Sequence, residues 1–263
     1  MAGLEAPEAA HGPEAGQRYD RRATLGGLAA LVILSWVYLW HMAAGMDHSS
    51  LAAEAAPRAA SAGAVGMTFA MWAIMMVGMM LPSAAPTIVL YGSMVRKHAE
   101  RGSALPATWI FVAGYLLAWT AFSAAATTLQ VSLEAAALMT PSMTVASGAL
   151  GALAVVAAGL YQVTPLKQAC LRKCRHPVEF LMTRWRAGSA GALGMGLEHG
   201  AYCLGCCWAL MLLLFVAGVM NLAWVALIAA FVYVEKLLPA RRLTSYAAGV
   251  ALVACGLYIL FEL

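Results

Sequence analysis

Apolar runs close to twenty residues long recur along this chain, separated by short polar segments. A helix needs about 20 such residues to cross the roughly 30 Å hydrocarbon core of a bilayer. In that medium every backbone N–H and C=O must be satisfied within the protein, which leaves helices or a closed barrel. The runs are built from Ala, Leu, Met and Val without period-two alternation, so helices are predicted. Composition agrees: 63% of the 263 residues are hydrophobic and 11% are charged, an apolar excess that a water-soluble core of this length does not need. The fold class expected is all-α, a polytopic transmembrane helix bundle.

Seven spans are predicted, at Leu25–Ala43, Val65–Tyr91, Leu105–Val131, Ser142–Val163, Ser189–Val219, Asn221–Leu238 and Thr244–Phe261. Apart from Arg58, the 16 Lys and Arg fall in or beside alternate connecting segments. By the positive-inside rule this predicts a cytoplasmic N-terminus and an extracytoplasmic C-terminus. Residues 1–24 read as a disordered cytoplasmic tail without a cleavable signal, and 25–263 as the transmembrane domain. The net charge of +4 sits in loops and reports topology, so the partner expected is the lipid bilayer and no nucleic acid.

Chemistry concentrates in Glu198-His199-Gly200-Ala201-Tyr202-Cys203-Leu204-Gly205-Cys206-Cys207-Trp208. On a helix His199, Cys203, Cys206 and Cys207 share an arc of about 100°. A buried Cys is often only a small hydrophobe, but three thiols and an imidazole on one stripe are also a soft donor set. The second run carries Met75, Met76, Met79 and Met80 on adjoining rows, followed by Pro82. Such a stripe serves either as adaptable packing or as thioether ligands, and Pro82 is expected to open the helix at mid-membrane by freeing the carbonyl of Gly78. The third run, with neither charge nor Cys, reads as scaffold.

Three further places carry candidates. After the fourth run, Thr164 and Pro165 predict the start of a new helix, on which Cys170 and Cys174 are i, i+4 neighbours ahead of His176. The sixth run ends in Glu235-Lys236: an acidic residue near membrane depth is a functional candidate, and the plainer alternative is an interfacial pair whose Lys snorkels to water. Outside the first run, His41, Met42, Met46 and His48 form a possible secondary outer site or an ordinary interfacial belt. Counted inward from the outer ends, Met79 and Glu235 lie about 21 Å deep, Cys206 about 20 Å and Cys203 about 24 Å. Tyr161 of the fourth run comes out at about 27 Å, so four helices bring unusual residues to the cytoplasmic half of the membrane, which predicts a shared site.

Thiols and thioethers in a dry surround select Cu(I) ahead of Zn(II) and exclude Mg or Ca. The predicted set is Cys203, Cys206, Cys207 and His199, with the four methionines opposite, Glu235 balancing charge, and Cys170, Cys174 and His176 relaying the ion at the cytosolic mouth. Two other readings stay open: a thiol–disulfide oxidoreductase on Cys203-x-x-Cys206, and a structural or assembly subunit of a larger membrane complex. No G-x-x-x-x-G-K-[ST] run occurs, so nothing points to ATP-driven transport, and the residues suggest a binding protein more than an enzyme.

Three motifs in order, Met71–Ser83, Tyr161–Lys167 with Cys170 and Cys174, and His199–Trp208, followed by Met220-Asn221-Leu222 and Glu235-Lys236, resemble the bacterial predicted metal-binding integral membrane proteins. That family is of unknown function and is sometimes labelled copper chaperone. The resemblance covers most of 65–240. It implies an integral membrane protein that binds metal, with no settled activity. Taken with the residues, the expectation is a multi-pass protein of the bacterial inner membrane whose partner is a copper-donor or acceptor protein or a membrane enzyme complex.

Overall fold

Helices form wherever the apolar runs lie. The computed structural model describes residues 13–49, 61–98, 104–140, 143–237 and 243–262. Among them are α1 (Pro13–Ser49), α2 (Ala62–His98), α3 (Leu105–Ala135), α4 (Gly148–Gln162), α5 (Pro165–Arg175), α6 (Pro177–Arg184), α7 (Gly188–Leu212), α8 (Leu214–Ala217), α9 (Leu222–Leu237) and α10 (Leu243–Glu262). The described residues contain no strand, only an isolated bridge between Met139 and Val145. The chain is all-helical and of membrane-spanning type. Among the described residues, five helical stretches are long and apolar enough to cross a bilayer, or six if the α4–α5 pair, bent by 62°, is one span. The sixth predicted span corresponds to α9, which has 16 residues.

Several boundaries differ from expectation for physical reasons. Residues 13–24, expected in the tail, are helical, and Asp20 there is tied down by Arg96 of α2 and by the backbone N–H of Ala104 at 3.1 Å. Residues 1–12 lie outside the described ones. α1 also continues past Ala43 to Ser49, so the expected outer loop begins as helix. α2 runs unbroken through Pro82 and Pro86, in place of the opening expected at Pro82. α4 starts at Gly148 rather than Ser142, because the residues before it are engaged elsewhere: Val145 donates to the carbonyl of Phe215 at 2.8 Å, and Met143 sits at φ 57°. Ser147 then caps α4 through the N–H of Leu150. The start of α5 is as predicted, with Pro165 in its first turn and the Thr164 hydroxyl accepting from the N–H of Lys167 at 3.3 Å.

Small residues set how closely the helices pack, as expected where lipid offers no hydrophobic drive between them. The broadest helix contact is α3 on α7. There a Cβ on Gly196 would stand 2.0 Å from the carbonyl oxygen of Phe111, so only glycine lets the backbones meet. α4 and α10 meet in the same way where Gly159 faces the carbonyl of Gly249. Gly78 of α2 brings α1 close at Ser35 and Trp36.

The two ends of the bundle differ. At one, basic side chains tie elements together: Arg96 to Asp20, Arg175 to the Glu235 carbonyl at 2.9 Å, Lys173 to Glu179 at 3.0 Å, and Arg184 to Glu198 at 3.3 Å. The hydrogen bond and positive charge of Lys173 hold the exposed Glu179 carboxyl below its ordinary pKa, with His176 adding to the effect. At the other end Trp72 donates to Gln130 at 2.7 Å and packs against Phe215, with ring centroids 5.2 Å apart and planes tilted by 31°, and Gln130 donates to Glu134 at 2.9 Å.

Candidate metal centre

α7 presents its stripe inward: His199, Cys203, Cys206 and Cys207 are all buried. The thiols of Cys206 and Cys207 point back along the helix, each donating to the carbonyl of Cys203 at 3.0 Å. The Cys203 sulfur faces outward from α7 instead. It lies 3.1 Å from the Tyr115 hydroxyl of α3 and 2.9 Å from the Lys236 ammonium of α9. Cys174 of α5 lies close enough to Cys206 for the two thiols to interact. Gly205 lets α5 come close to α7, since a Cβ there would stand 2.7 Å from the Cys170 sulfur.

α2 closes the cluster from the opposite side. Met75, Met76, Met79 and Met80 are all buried in the core, and among the described residues Met80 is the one whose thioether meets a thiol, Cys207 at 3.9 Å. The Met80 carbonyl accepts from the Tyr115 hydroxyl at 3.1 Å and from the Ser83 hydroxyl at 2.8 Å. Ser83 in turn accepts from Lys236 at 2.9 Å. Five helices, α2, α3, α5, α7 and α9, therefore contribute side chains to one dry cluster.

His199 stands one turn before Cys203 in an aromatic box, with the rings of Phe180, Tyr115 and Phe111 at 5.4, 5.7 and 6.1 Å. Its buried Nδ1 has no hydrogen-bond partner among the described residues. A buried unsatisfied nitrogen is costly, so it is either a tolerated defect or a donor awaiting an acceptor of its lone pair.

Most of the remaining predicted residues lie elsewhere. The Glu235 carboxylate turns away from the thiols and binds Lys167 at 2.9 Å and the Ser245 hydroxyl at 2.6 Å, with Lys167 also donating to Gln162. It neighbours the cluster in sequence and serves a separate buried ion pair. His176 is exposed between α5 and α6, whereas Cys170 and Cys174 stand at the α5 edge of the cluster itself and are half-buried. His41 is exposed on α1 and Met42 packs on the core, while only backbone is described for Met46 and His48. Three residues of the cluster carried no prediction of a role there: Tyr115, Ser83 and Lys236. Lys236 had a signal, because the rule that made Glu235 a candidate covers any ionisable residue at membrane depth.

Among the described residues no three His, Cys, Asp or Glu side chains are arranged to hold a metal ion. What the cluster offers is soft donors in pairs and a thiol–thioether contact. That suits a thiophilic ion content with few ligands better than tetrahedral zinc, which wants four. A family model described as a copper chaperone (PpoB2) matches residues 69–259. Comparison with curated proteins and with solved structures finds no match.

Proposed function

The chain belongs to this copper-chaperone family, and from that premise we propose that it carries Cu(I) as cargo within the membrane. Two of the thiols Cys203, Cys206 and Cys207 hold the ion, with Met80 as a further soft donor and His199 in reserve one turn away. Cys174, with Cys170 and His176 beyond it, forms the path between this cluster and the basic end of the bundle. The observation that carries the reading is the Cys207–Met80 contact at 3.9 Å beside two further thiols, all buried. Packing alone does not require thiols and a thioether from two helices to converge in one dry place. Loading replaces the two thiol–carbonyl hydrogen bonds on Cys203, which are weak and easily given up.

The bundle crosses the bacterial inner membrane seven times, with α4–α5 as a bent crossing and α9 as a short one. The N-terminus is cytoplasmic and the C-terminus extracytoplasmic. Supporting this, the start of α1 meets the end of α2 and the start of α3 at Asp20, and the end of α5 meets the start of α10 at Arg175 and Thr244. These junctions gather the basic residues at one end, as the positive-inside rule asks of the cytoplasmic face. The protein acts as a binding and transfer protein, and its partner is a copper-donating or copper-accepting protein.

The deciding experiment is Cu(I) titration of detergent-purified protein against a chelator, beside a Cys203/Cys206/Cys207→Ser variant and a Cys255→Ser control. Wild type and control should bind stoichiometrically and the triple variant should not. A folded wild type that takes no Cu(I) sinks the proposal. If it shows a reversible disulfide couple at Cys203 and Cys206 instead, the chemistry is thiol exchange.

A further inference from the structure

Lys236 is buried, yet among the described residues no carboxylate pairs with it. Among the described residues its ammonium has two partners, the Ser83 hydroxyl and the Cys203 sulfur, each at 2.9 Å. The adjacent Glu235 cannot serve, since its carboxylate is held on the far side by Lys167 and Ser245. A charge taken out of water without a counter-charge is strongly unfavourable. The group placed to supply that counter-charge is a thiolate, and Cys203 is in contact. The structure thus holds a fixed cation against the cluster proposed to receive another cation.

We propose that Lys236 sets the charge of the cluster and so selects its cargo: a monovalent thiophile, Cu(I) or Ag(I), is accepted, and a divalent one such as Zn(II) is refused. This rests on the cargo reading above. Charge counting makes the selection. Binding Cu(I) to the Cys203 thiolate and one further thiol releases one proton to solvent and moves no electrons, leaving a bis-thiolate complex of charge −1. The Lys236 ammonium brings that complex to neutrality inside the protein. Zn(II) on the same two thiolates is neutral by itself, so with Lys236 present a net positive charge is left buried. A third thiolate would cancel it, but no three such donors are arranged to hold one ion. Removing the ammonium shifts the balance toward zinc, because Zn(II) is then the ion that leaves the centre neutral.

The test uses the full chain in detergent with Ag(I) as the redox-inert monovalent probe and Zn(II) as the divalent one. Bound metal and thermal stabilisation are measured for wild type, Lys236→Gln and Lys236→Arg. Wild type and Lys236→Arg should hold Ag(I) and leave Zn(II) unbound at equal concentration. Lys236→Gln should move the Ag(I)/Zn(II) preference toward zinc by about a hundredfold or more, the order expected for one unit charge a few ångströms away in a weakly polarisable interior. A folded Lys236→Gln protein with the wild-type preference overturns the inference. So does wild type holding Zn(II) as firmly as Ag(I), a result that decides the matter even where the Gln variant does not fold. Wild type that binds neither ion refutes the cargo reading itself, whereas loss of selectivity with binding intact refutes only the role of Lys236.

Discussion

Gly196→Ala is the sharpest probe of how the bundle builds its cluster, because the perturbation is one methyl group at the seam between α3 and α7. A Cβ at this position would lie 2.0 Å from the carbonyl oxygen of Phe111 and 2.9 Å from its carbonyl carbon. Ordinary contact begins at 3.4 Å, so the two helices must separate there by about 1.4 Å. Both obstacles are backbone, and no side chain can swing away to relieve them. Overpacking typically costs about 1–3 kcal/mol, and this case belongs at the upper end. Alanine returns about 1 kcal/mol through its better helix propensity. The net loss is therefore about 2 kcal/mol, which for a chain of this size corresponds to roughly 4–8 °C in the unfolding midpoint. Separation also moves Tyr115 from the Cys203 sulfur, now 3.1 Å away, so Cu(I) affinity falls with stability. The control is Gly26→Ala on α1, where a Cβ meets nothing within 4 Å and the propensity gain acts alone. Thermal unfolding in detergent reads both. Equal or higher stability for Gly196→Ala would mean that α3 and α7 are not in backbone contact, and the geometry assigned to Tyr115 would go with it.

Glu235→Gln leaves Lys167 buried without its counter-charge and should cost about 3–5 kcal/mol in thermal or denaturant unfolding. The folded fraction should still bind copper, because the carboxylate faces away from the thiols; lost copper at wild-type stability would refute that separation. Cys174→Ser should slow loading from a soluble Cu(I)–thiol complex, followed by stopped flow, more than it lowers final copper content. Equal loading rates would take α5 out of the path. Trp72→Phe leaves the buried Gln130 carbonyl without its donor and should destabilise by about 1–3 kcal/mol in the same unfolding assay, while an unchanged midpoint would show that this hydrogen bond carries no net stability.

Helical periodicity and the apolar runs made the α7 stripe and the Met rows of α2 legible in the sequence, since both are properties of single helices. The start of α5 was legible for the same reason, a local cap and a proline. What no single helix contains is register against its neighbours. Tyr115 looked like scaffold because α3 has no ionisable side chain near it, and its place opposite Cys203 follows from the glycine contacts that slide α3 against α7. The unbroken course through Pro82 is not legible locally, because a proline's cost is set there by packing on both sides of α2, where α1 and α3 hold the helix in line.

The charge at the cluster shows why neighbouring residues had to be assigned separately. Glu235 and Lys236 are consecutive on α9, so their side chains leave the helix about 100° apart and cannot both face one site. A carboxylate beside thiolates would add negative charge to a centre that Cu(I) on two thiolates already leaves at −1. An ammonium cancels it. Electrostatics in a dry interior therefore favours the arrangement found, with Lys236 on Cys203 and Glu235 on Lys167. A Glu235→Lys/Lys236→Glu exchange puts this to a direct test. The reversed pair would set a carboxylate against Cys203 and an ammonium against Lys167, two like-charge contacts in place of two favourable ones. The exchanged protein should be less stable than either Glu235→Gln or Lys236→Gln, measured by denaturant unfolding in detergent. If it were as stable as wild type, charge would not be what orients α9.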